Sequence, residues 1–182
     1  VTQMELTISE PQDVTKETPI VCVGDALGMF QGEDDLTCRQ FLASHPSVAG
    51  VMLRGRGWSH AWGNTAVRVN TGAHTLIVQD GVFTQVNPAA NQLLVSSLVQ
   101  LSGVNYTDRI IELYSGAGNF SLPLARRAHV LIGVEQNGKA VLAARANAER
   151  AGVKNAQFRQ ATVQTGVREL LKQGLQGDIV VL

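Results

Sequence analysis

The stretch from residue 109 onward most restricts the fold, because short apolar runs alternate there with segments of helical period. The apolar runs predict four strands, at 109–114, 130–134, 156–159 and 178–182. Three helices are predicted between them, one reaching to 127, one at 137–151 and one at 163–173. This alternation is typical of a parallel sheet covered by helices. The sequence therefore predicts an α/β domain in this stretch.

A further helix is predicted ahead of the first of these strands, at 88–101. Asn87 supplies a capping side chain, and Pro88 suits the first helical position. One side of this helix is apolar and carries Leu93, Leu94, Leu98 and Leu101. Because an apolar side usually faces the core, we predict that these leucines are buried.

The first 80 residues give weaker and mixed signals. Apolar runs predict strands at 20–23 and 48–53, a helix is predicted from about 35 to 44, and glycines with alternating stretches predict β-hairpins within 55–78. We therefore predict a small α+β region at 1–80, followed at 81–182 by the first half of a larger α/β domain.

Charge and hydropathy leave most soluble protein classes open. The 182 residues have a formal net charge of zero, but 1–80 hold five Lys/Arg and nine Asp/Glu (−4), whereas 81–182 hold ten and six (+4). An anionic partner would favour the second part, although solvated helix faces explain so small an excess equally well.

No apolar run approaches the roughly 20 residues of a membrane span, so we expect a cytoplasmic protein without a membrane partner. The chain starts at Val1 and its last predicted strand stops at Leu182, so we expect both ends to be cut.

Cysteine and histidine spacing predicts no metal site. Cys22 and Cys38 have no close Cys or His partner, which favours structural thiols over a disulfide or metal ligands. Among the four histidines, His60 stands out because it lies between Trp58 and Trp62. We predict packing for His60, with stacking on a nucleic-acid base as the alternative.

A glycine turn follows the first strand of the predicted parallel sheet. Gly116 and Gly118 would let a ligand approach the backbone at the carboxyl end of this strand. The dinucleotide fingerprint has a third glycine three residues later, where this chain has Ser121. The turn therefore favours a ligand without a pyrophosphate.

Two carboxylates accompany this turn. Glu135 ends the second strand, where an acid can accept hydrogen bonds from both ribose hydroxyls of an adenosine-type ligand; a solvated or capping acid is the alternative. Glu112 lies inside the first strand, where a buried carboxylate needs a donor. That donor is either a ligand ammonium group, which we prefer, or a nearby arginine.

Three segments match a known family in order and spacing: Gly81-Val-Phe-Thr-Gln-Val-Asn87, Glu112-Leu-Tyr-Ser-Gly-Ala-Gly-Asn-Phe120 and Gly133-Val-Glu135. In these segments the chain resembles the RNA uracil-5-methyltransferases, which use S-adenosylmethionine (S-adenosyl-L-methionine) on a Rossmann-like fold. The Phe-x-Gln-Val-Asn segment discriminates best, since other methyltransferases share the glycine turn but not this segment. The similarity is good over 81–182 and loose over 48–80, and it does not extend to 1–47.

The resemblance implies a set of cofactor-binding residues. They are Gln85, Glu112, Tyr114, Gly116, Gly118, Asn119, Glu135 and Thr162. Thr162 would lie near the adenine, at a position that is usually Asn or Asp. The family often has cysteine where this chain has Ser115, so a thiol is not required there.

The resemblance also implies methyl transfer to C5 of a uridine in ribosomal or transfer RNA, which would be the partner. In the family a cysteine adds to C6 of the base, and a carboxylate later removes the C5 proton. Both groups, with an Asp-Pro-Pro-Arg-like loop, come after the position of Leu182, so we expect a fragment that binds the cofactor without a catalytic residue of its own. Methylation of another substrate and a noncatalytic nucleoside-binding module are the alternatives.

Overall fold

The structure is a computed structural model that describes residues 3–9, 19–72, 74–79, 82–85 and 87–182. The chain divides into two compact units, unit 1 (Val1–Arg68) and unit 2 (Val69–Leu182). We predicted a domain boundary after residue 80, and that boundary stays a prediction. The division into compact units falls earlier in the chain, so that 75–78 belong to unit 2. There the backbone N–H of Ile77 donates to Oδ1 of Asn147 at 2.9 Å.

Unit 1 is a small α+β structure, as predicted. Its elements are β1 (Gln3–Ile8), β2 (Ile20–Asp25), α1 (Gly32–Ser44), β3 (Val48–Gly55) and β4 (Trp58–Gly63). The four strands form one sheet in the order β1-β2-β3-β4, in which only the β2–β3 pair is parallel. Its core is built from Cys22, Cys38, Val51 and Trp62.

Two further strands, β5 (Val67–Asn70) and β6 (Thr75–Val78), form a two-stranded sheet, and the division between the units falls within β5. They are followed by α2 (Pro88–Leu101). The predicted start of α2 is confirmed: Pro88 occupies the first turn, and the Asn87 side chain accepts from the Ala90 N–H at 3.0 Å.

The predicted parallel sheet is also confirmed. Its elements are β7 (Arg109–Leu113), α3 (Ser121–Ala125), β8 (Val130–Glu135), α4 (Gly138–Arg150), β9 (Ala156–Gln160), α5 (Val163–Lys172) and β10 (Ile179–Val181). The strand order is β10-β7-β8-β9, and every pair is parallel. Unit 2 therefore has the Rossmann-like α/β fold, with β7 and β8 at its centre.

The predicted burial of the α2 leucines is wrong. Leu93, Leu94 and Leu101 are 69%, 46% and 85% exposed, and Leu98 is half-buried. The buried residues of this helix are Asn91 and Val95. The apolar pattern pointed to the wrong side because the buried side carries a polar residue, Asn91, which is only 1% exposed.

Two other elements differ from the prediction. The helix after the glycine turn, α3, ends at Ala125 rather than at 127, and the chain then turns tightly, with the Arg127 N–H donating to the Leu124 carbonyl. The edge strand β1 was not predicted, and its apolar side chains Met4 and Leu6 are 65% and 62% exposed. Across the described ranges, no helix combines the length and apolar character needed to cross a membrane.

Candidate functional site

The glycine turn joins β7 to α3 through three residues with left-handed backbone conformations. Tyr114 has φ 60°, and Gly116 and Gly118 have φ 53° and 94°. Tyr114 is the only residue other than glycine with positive φ in the described part of the chain, and its side chain is 70% exposed. Such strain in a non-glycine residue is concentrated at functional sites in proteins. A Cβ placed on Gly116 would meet no atom within 4 Å, so open space adjoins the turn at this point.

Glu135 connects the glycine turn with the end of β8. Its Oε2 accepts from the Gly116 N–H at 3.0 Å, and its Oε1 accepts from the Asn137 N–H at 2.7 Å. The Glu135 main-chain carbonyl accepts from the Ala161 N–H at 2.9 Å, just after β9. Each carboxylate oxygen can accept a further hydrogen bond. Glu135 therefore ties together the carboxyl ends of three strands and still has acceptor capacity for a ligand.

Glu112 lies beneath the turn and is 2% exposed. Its Oε2 is 2.5 Å from Oγ of Ser121, the fully buried first residue of α3. Burial raises the pKa of this carboxyl from 4.5 to about 8, and the Ser121 hydrogen bond opposes that rise. Among the described residues no arginine forms an ion pair with Glu112. The donor to its carboxyl group is the hydroxyl of Ser121 and not the arginine that we considered as an alternative.

Asn119 is held by a second asparagine. Its Nδ2 donates to Oδ1 of Asn91 at 2.8 Å, and Nδ2 of Asn91 donates to Oδ1 of Asn119 at 3.0 Å. Asn119 is half-buried, whereas Asn91 is almost completely buried in α2. The sequence analysis missed Asn91.

Asn147 of α4 supports the turn from another side and was also missed. Its Nδ2 donates to the Ala117 carbonyl at 3.1 Å, inside the turn, and its Oδ1 accepts from the Ile77 N–H and from Nη1 of Arg150. Asn147 is 1% exposed. A polar residue between the buried Ala144 and Ala148 was the only sequence signal for this role.

The two outermost predicted residues have looser surroundings. Thr162 is exposed and follows β9, where its Oγ1 accepts from the Thr165 N–H at 3.2 Å and so caps α5. Gln85 is half-buried in the loop before α2, and no side-chain hydrogen bond is recorded for it within the described ranges. Thr162 thus lies at the same sheet edge as Glu135, while Gln85 keeps its role as a prediction.

Ser115 fills the space beneath the turn without a hydrogen-bond partner. It is 3% exposed, and its Oγ has no partner among the described atoms. A Cβ added to Gly133 of β8 would lie 2.8 Å from this Oγ and 2.8 Å from Phe158. Gly133 therefore leaves room for the side chain that the turn places over β8.

The cysteines belong to the core of unit 1, as predicted. Cys22 and Cys38 are free and buried, and burial raises the pKa of both thiols, which keeps them protonated and weakly nucleophilic. The ring of His60 stacks on Phe30 at 3.8 Å, which agrees with the packing that we predicted. No group of three potential metal ligands occurs in the described part of the chain.

A groove of about 1200 Å³ lies elsewhere in unit 2. It runs along α2, where Leu93 and Val99 line it, and it includes Arg126 and Arg127. None of the predicted cofactor residues lines this groove. The groove is therefore distinct from the turn at the sheet edge, where most of the predicted cofactor residues lie.

The chain is similar to proteins that are named as RNA-modifying enzymes. The sequence profile of a family described as tRNA (uracil-5-)-methyltransferase matches residues 62–170. A 23S rRNA (uracil(1939)-C(5))-methyltransferase RlmD from Photobacterium angustum is 40% identical over 100 residues, which are 55% of this chain and 46% of that protein. The enzyme of the same name from Polynucleobacter necessarius is 30% identical over 172 residues, 87% of this chain and 36% of the relative. The chain spans less than half the length of either relative.

A solved structure shares the fold over most of the chain. It is the tRNA (uracil-54, C5)-methyltransferase of Pyrococcus abyssi in complex with S-adenosyl-L-homocysteine, with a TM-score of 0.61 and 21% identity. The match covers 87% of this chain and 38% of that one.

Proposed function

The chain belongs to the tRNA (uracil-5-)-methyltransferase family, whose profile matches more than half of it, and on this basis we propose that it holds the S-adenosylmethionine site of an RNA methyltransferase. The reaction is methyl transfer to C5 of a uridine in ribosomal or transfer RNA. Relatives are named for uracil C5 methylation of 23S rRNA and of tRNA, so the partner that we propose is RNA. A cytoplasmic location is part of the proposal.

The observation that carries the cofactor proposal is the link between Glu135 and Gly116. It closes the turn against β8 and leaves both carboxylate oxygens able to accept a ribose hydroxyl. The open space beside Gly116 and the exposed ring of Tyr114 provide room for a nucleoside. These residues fit an adenosine-type group. A pyrophosphate site would need a third glycine at the position of Ser121. Here that position carries a side chain, which is buried against Glu112.

The remaining residues take roles around this centre. Gly116 and Gly118 keep side chains out of the turn, and the half-buried Asn119 follows it. Thr162, which follows β9, would contact the adenine. Gln85 would approach from the loop before α2. Together they bind and orient the cofactor, which supplies a methyl group on a positively charged sulfur when bound.

Glu112 is our proposed acceptor for the ammonium group of the methionine moiety. The pKa of its carboxyl, raised by burial to about 8, means that the group is protonated at pH 7 in the free protein. An ammonium partner favours the charged form, so binding of S-adenosylhomocysteine at pH 7 should release a proton. Calorimetry in buffers of different ionisation enthalpy measures this proton. Binding without proton release would contradict a contact between Glu112 and the ammonium group, and Glu112 would then only support the turn.

Uracil C5 is a weak nucleophile, so the reaction needs a thiolate that adds to C6 and a base that removes the C5 proton. Cys22 and Cys38 do not suit the first task, because both are buried in the core of unit 1 and burial raises the pKa of their thiols. The target base must leave its stack to reach the methyl group. The described residues of unit 2 serve binding and orientation.

Calorimetry with S-adenosylhomocysteine tests the proposal. We expect the protein to bind it and Glu135→Ala to weaken binding at least about tenfold, because the substitution removes two ribose acceptors and the link to Gly116. Glu149→Ala is the matched control, since Glu149 is an exposed acid of α4. NAD⁺ should not bind. The proposed cofactor site would be contradicted if the protein did not bind S-adenosylhomocysteine or if Glu135→Ala bound it with unchanged affinity.

A further inference from the structure

We propose that Asn91 is a positioning residue of the cofactor site, which acts by fixing the side-chain amide of Asn119. The inference rests on the proposed function. It adds a residue of α2, outside the strands and turns of the sheet edge, to the machinery that binds S-adenosylmethionine. It also assigns a role to the polar residue that faces inward from this helix.

The burial of Asn91 calls for an explanation. It is 1% exposed on the inward side of α2, next to the buried Val95, where an apolar residue would cost less. Both polar atoms of its side chain are satisfied by one partner, the amide of Asn119. A buried amide that has one polar partner, itself at a ligand site, serves to place that partner.

The reciprocal pair determines which atoms Asn119 presents. One N–H of its Nδ2 and one lone pair of its Oδ1 are used by Asn91, at 2.8 and 3.0 Å. If the Asn119 amide turned over alone, its donor would face the donor of Asn91 and its acceptor would face the acceptor. The buried partner therefore holds the free N–H and the free lone pair of Asn119 in one arrangement.

The same helix links this amide to the segment that carries Gln85. Asn87 caps α2 through the Ala90 N–H, and the Asn91 N–H donates to the Asn87 carbonyl at 2.9 Å. The first turn of α2 is thereby held to the end of the loop, while its second turn reaches Asn119. Through Asn91, α2 aligns the loop with the glycine turn.

A double-mutant cycle with S-adenosylhomocysteine tests the inference. We expect Asn91→Ala and Asn119→Ala each to weaken binding by about fivefold or more, and the double variant to bind no worse than Asn119→Ala alone. Asn91→Asp keeps an acceptor for Nδ2 of Asn119 but loses the donor, so its affinity should lie between those of the parent and Asn91→Ala. It also tests the inference if Asn91→Ala does not fold.

Val95→Ala is the matched control, because it loosens the same side of α2 without touching the pair. It should lower stability and leave the affinity within about twofold of the parent. Losses that multiply in the double variant, or equal weakening by Val95→Ala and Asn91→Ala, would overturn the role of Asn91. A parent protein that fails to bind would instead overturn the proposed function.

Discussion

Both units have an apolar core, but they differ in the polar side chains that they bury. The core of unit 1 is Cys22, Cys38, Val51 and Trp62, and the indole N–H of Trp62 donates to Oδ1 of Asp35 at 2.7 Å. Unit 2 has an apolar core that includes Leu113, Ile132, Val134 and Leu170, and in addition it buries a set of polar residues around its glycine turn. These are Asn91, Glu112, Ser115, Ser121 and Asn147.

This difference separates residues that stabilise from residues that place other groups. An unsatisfied buried polar group costs about 1–3 kcal/mol, and four of these five side chains avoid that cost by forming side-chain hydrogen bonds. Ser115 has no partner among the described atoms. The conspicuous cysteines of unit 1 and its Trp62 are core residues, whereas less conspicuous asparagines and serines of unit 2 surround the candidate site. Four predictions test this contrast.

The largest effect is expected for Glu112→Gln and depends on pH. The carboxyl has a pKa of about 8 in the folded protein against 4.5 as its ordinary value, so between these values the native state holds a proton that the unfolded state has released. The free energy of unfolding of unit 2 should therefore fall as pH rises through this window, by up to about 1.4 kcal/mol per pH unit. The contribution is complete below pH 4.5 and lost above pH 8.

Urea unfolding followed by far-UV circular dichroism between pH 5.5 and 8.5 measures this slope. Glu112→Gln should flatten it and be more stable than the parent at the alkaline end. Glu149→Gln, which changes an exposed acid, should keep the parent slope. If the parent and Glu112→Gln showed the same pH dependence of the free energy of unfolding, Glu112 would not be the buried acid that lowers stability at high pH.

Cys22→Ser should destabilise unit 1 by about 1–3 kcal/mol, because it places a hydroxyl in an apolar core. Both tryptophans of the chain lie in unit 1, so their fluorescence reports its unfolding. Cys22→Ala controls for the loss of volume. Affinity for S-adenosylhomocysteine should not change in either variant, and a weakened affinity would show that unit 1 cysteines serve the site.

Ser115→Ala makes the opposite exchange in unit 2 and should raise stability by about 1 kcal/mol. The substitution removes a buried hydroxyl that has no partner among the described atoms. Urea unfolding followed by circular dichroism gives the change. A loss of stability would mean that this hydroxyl has a favourable role in the turn.

Leu101→Gln should change the stability of unit 2 by no more than about 0.5 kcal/mol, because Leu101 is 85% exposed. Val95→Ala on the same helix should cost about 2 kcal/mol, since Val95 is 4% exposed. Both are measured by urea unfolding. If Leu101→Gln lowered stability as much as Val95→Ala, the leucine side of α2 would have to be buried in the folded protein.

The elements of unit 2 were predictable because their periodicity is strong, and every predicted strand of its parallel sheet is present. The glycine turn and Glu135 were predictable from their place in the motif. The partners of the turn were not. Whether Asn91, Asn147 and Ser121 contact it depends on which side of each helix is buried, and an apolar stripe that faces solvent misled the prediction for α2. The edge strand β1 depends on its pairing with β2.

The position of β10 beside β7 has a consequence for synthesis of the chain. The Arg109 N–H at the start of β7 donates to Oδ2 of Asp178, 69 residues later. At roughly 5–20 residues per second, a ribosome needs several seconds to make the intervening chain. Until then the strand that carries the glycine turn has one bare edge, open to pairing with other nascent chains. The second edge of the central strand of the candidate site is thus covered only after β10 has been made.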